Sequence, residues 1–154
     1  MRRFLEKILG DLQASPDTDP EMPDMPNRAI ALAVSVILLE IATMDNDLAD
    51  IEIETITGIL REYYKLQDDE ISRLLENADA VRRGAVDIFQ FTRTINERCS
   101  RSEKRKLMED IWRVIFADGK LDQYEDHFAH KLTRLLRLDH RDMIAAKMKA
   151  RKGG

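Results

Sequence analysis

Asn27-Arg28-Ala29-Ile30-Ala31-Leu32-Ala33-Val34-Ser35-Val36-Ile37-Leu38-Leu39-Glu40-Ile41-Ala42-Thr43 decides the fold. The stretch is too long for one strand, and its apolar residues fall on every side of a 3.6-residue helix. A helix that is apolar nearly all round belongs at the centre of a protein. It does not span a bilayer. The uncharged run from Ile30 to Leu39 ends at Glu40, about half the roughly 20 residues a spanning helix needs.

Downstream of Asn27 there is no proline, and only Gly58, Gly84 and Gly119 interrupt the chain before its last two residues. Sheets need many turns, and turns lean on Gly and Pro. The expected fold is therefore all-α, a single bundle of about seven helices. A second helix runs from about Asp50 to Tyr64. Its start alternates like a strand (Asp50 to Glu54), but Ile53, Ile56, Leu60 and Tyr63 follow a helical period. A third covers about Asp68 to Asn77 and a fourth Val86 to Cys99. Ser100 and Glu103 have capping-box spacing and open a fifth, ending near Phe116. Asp122 and Glu125 share that spacing and open a sixth. Asp139 to Ala150 forms the last.

Upstream, Pro16, Pro20, Pro23 and Pro26 crowd one acidic window, so residues 13–26 read as an extended linker. Before it, Phe4, Leu5, Ile8, Leu9 and Leu12 place a short amphipathic helix over 1–12. Its apolar stripe suits packing on the domain or on a second copy, and Arg2, Arg3 and Lys7 would also suit a membrane surface. The bundle itself occupies 27–151. Within 154 residues, 25 basic against 29 acidic side chains leave a formal charge of −4. That balance argues against nucleic-acid binding by bulk charge. The single Cys99 excludes an intramolecular disulfide, and no secretory signal is visible, so the default location is cytoplasmic.

Two junctions look alike. Ala42-Thr43-Met44-Asp45-Asn46-Asp47-Leu48-Ala49-Asp50-Ile51-Glu52 aligns with Ile115-Phe116-Ala117-Asp118-Gly119-Lys120-Leu121-Asp122-Gln123-Tyr124-Glu125 at a constant offset of 73 residues. Asp45 pairs with Asp118, Asn46 with Gly119, Leu48 with Leu121 and Glu52 with Glu125. Asn and Gly both tolerate left-handed φ, which ends a helix. The pattern predicts two pseudo-repeated helix–loop–helix hairpins.

Clustered carboxylates suit hard divalent cations, here Ca, Mg, Mn or Zn. Acidic residues at helix starts also serve as caps and dipole partners, and both readings stand at this point. The calcium EF-hand pattern fails, because the twelfth position from Asp45 is Ile56 and from Asp118 is Ala129. Glu40, inside the most apolar helix, needs a partner. The repeat offers Arg113 for an ion pair, or Glu40 completes a carboxylate cluster with Asp45 and Glu52.

Other chemistry is thinner. His127 and His130 could share a metal but more simply lie on a solvated face. Cys99 has no histidine near it in sequence. No P-loop, dinucleotide or G-x-S-x-G motif occurs. Lys147, Lys149, Arg151 and Lys152 form a basic tail, favourable at a helix C-terminus. Trp112 reads as core or interface packing.

Taken in order, Leu38-Leu39-Glu40-Ile41-Ala42 leading into Asp45 and Glu52, then Val86-Asp87-Ile88-Phe89-Gln90-Phe91-Thr92, then Ile111-Trp112-Arg113-Val114-Ile115-Phe116-Ala117-Asp118-Gly119-Lys120-Leu121-Asp122, the chain resembles the TerB-like (tellurite-resistance protein B-like) family. The resemblance covers about Asn27 to Arg151. It implies a bundle of about seven helices and maps the family's acidic metal-binding positions onto Asp45, Glu52, Asp118 and Glu125, with Glu40 nearby. Asn46 departs from the family's usual glycine, and Asp47 adds a carboxylate. Related domains occur in stress-response operons.

The expected function is a helical binding or adaptor domain, not an enzyme, whose two acidic loops take a divalent cation or a protein partner. The alternative is a metal-dependent hydrolase using the same carboxylates. A third reading is a structural adaptor that forms a homodimer through the first helix or Trp112.

Overall fold

The computed structural model describes residues 25–44, 50–84, 87–119 and 123–153. Among them are seven helices and no strand: α1 (Met25–Ala42), α2 (Asp50–Tyr64), α3 (Asp68–Arg83), α4 (Ile88–Arg98), α5 (Arg101–Phe116), α6 (Gln123–Leu135) and α7 (His140–Gly153). The proposed N-terminal helix 1–12, most of the linker 13–26, and Asp45 to Ala49 lie outside the described residues.

Helix α1 is the centre, packing on α2, α3, α4 and α5. From Ala29 to Ala42 only Glu40 escapes full burial. Full burial of a large aliphatic side chain contributes roughly 1.5–3 kcal/mol, so this helix supplies much of the hydrophobic driving force.

Helix α3 runs six residues beyond the expected Asn77, to Arg83. Asn77 faces outward, while Ile71, Leu74, Ala78 and Val81 continue one buried stripe past it. Helix α4 starts at Ile88, where the Asp87 carboxylate accepts from the Phe89 backbone N–H at 3.0 Å. The predicted box at α5 is formed in both directions: Glu103 N–H donates to Ser100 Oγ at 3.1 Å, and Ser100 N–H to Glu103 Oε1 at 2.9 Å. Asp122, the expected cap of α6, lies outside the described residues.

The internal repeat extends beyond a hairpin. At the offset of 73, the buried set Glu52, Ile56, Ile59 and Leu60 of α2 falls on Glu125, Ala129, Leu132 and Thr133 of α6, all buried. Each helix is then followed by a non-glycine residue at positive φ, Lys65 at 53° and Arg137 at 59°. Here the offset becomes 72, because the second unit is one residue shorter. Leu66 and Leu138 follow, both buried. Gln67 N–H donates to Glu70 Oε1 at 2.8 Å, and Asp139 N–H to Asp142 Oδ2 at 3.1 Å. Ile71, Leu74 and Ala78 of α3 then match Met143, Ala146 and Ala150 of α7, again all buried. The unit is three helices, α1–α2–α3 and α5–α6–α7, with α4 between them. In each, the first helix packs on the second and third, and the second on the third.

Trp112 is wholly buried, stacked on Phe116 at 5.5 Å between ring centroids. This bears out its reading as core packing and corrects the alternative of a dimer contact, since no indole surface is left for a second copy. Part of the basic tail is likewise used internally. Lys147 Nζ sits 4.8 Å from the centre of the Trp112 ring, and Arg151 lies 5.6 Å from that of Phe116.

Candidate functional site

The two junctions begin where α1 and α5 end. Gly119 has φ +77°, the left-handed conformation expected of a helix terminator at the second junction. Its counterpart Asn46 is outside the described residues, as are Leu48 and Leu121. Asp118 is half-buried in the turn after α5.

The glutamates differ from ordinary helix-start carboxylates. Asp50, Asp68, Asp69 and Glu103 also sit in first turns and are exposed. Glu52 is 2% exposed and Glu125 3%. Two carboxylates at equivalent places are thus withdrawn from solvent, each close to a helix N-terminus, where the unpaired N–H groups favour negative charge. Asp142, in the first turn of α7, is withdrawn in a similar way, its side chain 9% exposed beside Arg101 and Arg105.

Glu40 sits in the last turn of α1 and corrects the sequence expectation. Its Oε2 lies 3.7 Å from Arg82 Nη1 of α3, not against Arg113. Arg113 instead reaches Asp110 Oδ1 at 3.2 Å and Glu62 at 4.0 Å. The repeat placed Arg113 at the equivalent sequence position, but the salt-bridge partner comes from α3, the helix packed beside α1.

Among the described residues, no three His, Cys, Asp or Glu side chains are grouped to hold a metal ion. Glu52, Asp118 and Glu125 therefore do not form such a site by themselves, and Asp45 lies beyond what is described. The histidines do not pair as a chelate. His130 Nε2 lies 3.6 Å from Asp126, and its ring stacks on His140 at 6.0 Å, while His127 is exposed.

One buried carboxylate escaped the sequence reading. Asp110 lies between Leu107 and Ile111 on the inward stripe of α5, and is 2% exposed. Its repeat partner in α1 is Ile37. The signal was an acid at an apolar-stripe position, the same signal that singled out Glu40. Burial pushes its carboxyl up from 3.8 to about 6, against the opposing pull of Lys106 and Arg113. In the unfolded chain it ionises near 3.9. The folded state therefore holds the proton more tightly. This contribution to stability is full below about pH 4 and is lost as pH rises through about 6. Urea midpoints at pH 4, 5, 6 and 7 should show wild type losing on the order of 2–3 kcal/mol relative to Asp110→Asn across that window. A pH-independent difference would contradict it.

Cys99 is half-buried, and burial together with Glu103 pushes its thiol up to about 11. It stays protonated at neutral pH, unlike an activated nucleophile.

An all-helical domain made of a repeated three-helix unit, with a buried glutamate opening the second helix of each, is the class defined here. The chain matches the family model for tellurite resistance protein TerB over residues 31–148 and belongs to that family. No curated protein and no solved structure matches it. Among the described residues, no helix is long and apolar enough to cross a membrane.

Proposed function

We propose that this TerB-family chain is a binding domain rather than an enzyme, and that its two acidic corners take a divalent cation between them. The observation that carries the reading is the burial of Glu52 and Glu125 at equivalent positions of the repeat. Asp118 adds an oxygen donor at the second corner, and Asp45 supplies its counterpart at the first. The donor set is oxygen only, which suits Mg, Ca or Mn better than Zn. A bound ion would link the two corners, and an open coordination position on it could in turn hold an acidic group of a protein partner. A role in stress response fits the family to which the chain belongs.

Calorimetry with Ca²⁺, Mg²⁺, Mn²⁺ and Zn²⁺ tests this. Wild type should show saturable heat with at least one of the first three, and Glu52→Gln/Glu125→Gln should reduce affinity at least tenfold. Flat titrations of wild type at millimolar metal would overturn the metal reading. Unchanged binding in the double variant would move it away from these glutamates.

A further inference from the structure

A cavity of about 160 Å³ lies between α1, α2, the end of α4 and the first half of α5, away from the acidic junctions. Its floor is aliphatic, from Ile30 and Ile59 among others, and Tyr63, Tyr64, Cys99, Glu103 and Asp110 supply its polar wall. Tyr63 is 40% exposed. The two phenol rings lie 5.5 Å apart, tilted by 41°. We propose that this cavity is a binding site for a short alkylammonium ion, its chain on the aliphatic floor and its charged end against Asp110 and the tyrosine rings.

Three features select that chemistry. Size comes first. A cavity of about 150 Å³ holds a benzene-sized guest, so the ligand has about five or six non-hydrogen atoms. Second, Lys106 Nζ at 3.5 Å and Arg113 Nη1 at 3.2 Å both face the same Asp110 oxygen, Oδ1. Asp110 is thus ion-paired through Oδ1, and a bound ammonium would meet its other oxygen. Third, the charged residues that line the cavity, Glu103 and Asp110, are both acidic. Burial and then the Asp110 and Glu103 carboxylates push the Tyr63 hydroxyl up to about 12, and Tyr64 is raised in the same sense. Burial disfavours a cation as it does a phenolate, but the part of the shift that comes from the carboxylates favours one, and aromatic faces add attraction of their own. An anion would be repelled by those carboxylates, and a neutral guest would gain only from the floor.

The test is an amide NMR titration of the full chain with n-butylammonium, and with 1-butanol as the neutral match. Butylammonium should give saturable shifts centred on Tyr63, Tyr64, Cys99 and Asp110, at least tenfold tighter than butanol. Asp110→Asn should bring the ammonium down to the level of the alcohol. Equal affinity for the two probes in wild type would reduce the site to an apolar void and overturn the proposal, whatever the variant does. Absence of saturable shifts, or unchanged ammonium binding in folded Asp110→Asn, would do the same. Neither result bears on the acidic corners, whose glutamates are not in this cavity.

Discussion

Trp112→Ala should lower stability by about 3–5 kcal/mol, the usual result of emptying a large aromatic site in a core. For a chain of this length that is a fall in Tm of about 10 °C or more. The indole is fully buried, stacked on Phe116 and covered by Lys147 of α7. It is one of the points at which the third helix of the second unit is fastened to the first, beside the Asp142 ion pairs with Arg101 and Arg105. Loss of the ring should also raise hydrogen exchange in α7 more than in α3. Trp112→Phe should cost less. It keeps an aromatic face and removes an indole N–H that has no hydrogen-bond partner among the described residues. A Trp112→Ala protein melting within about 2 °C of wild type would show that α7 is not held in this way.

Ile37→Asp should be worse. Ile37 has no exposed surface, and α1 is flanked by four other helices. The change removes a buried aliphatic group and leaves a carboxylate with no partner in an apolar setting. The repeat makes the comparison instructive. Asp110 is the equivalent residue of α5, and it is accommodated only beside a cavity and with Lys106 and Arg113 in reach. A loss above about 5 kcal/mol is expected, comparable with the whole stability of many domains. Far-UV circular dichroism at 25 °C should show a largely unfolded or aggregated chain. Glu54→Gln, on the exposed side of α2, serves as the control and should melt like wild type. A cooperative melt for Ile37→Asp near the wild-type Tm would mean that α1 is not the core.

The seven helices were legible because each stretch carried one strong pattern. Helix α1 showed all-round apolarity, α2 its period from Ile53 to Tyr63, and α5 its capping box. The end of α3 was missed because Asn77 looked like a terminator. It faces solvent, and only the buried positions Ala78 and Val81 reveal that the helix continues. The repeat was seen at the junctions but not in α3 and α7. A one-residue deletion before α7 shifts the register from 73 to 72, which breaks an alignment made at a fixed offset. Left-handed Lys65 and Arg137 mark where the shift has occurred, but φ is not visible in a lysine or an arginine. At the candidate site, Glu52 and Glu125 were identified by spacing. Their burial was not, because a glutamate in a first turn reads most simply as an exposed dipole partner. The choice of Arg82 for Glu40 depended on how α3 lies against α1, which no pairwise spacing encodes.

The most direct test of the claim that the two corners act together is the selective loss of amide NMR signals as Mn²⁺ is added in substoichiometric amounts. If one ion is held by both units of the repeat, the amides of Glu52 and Glu125 should broaden together at the lowest additions, ahead of the exposed acidic pair Asp68 and Asp69. Broadening at one corner alone, or evenly over every surface carboxylate, would contradict it.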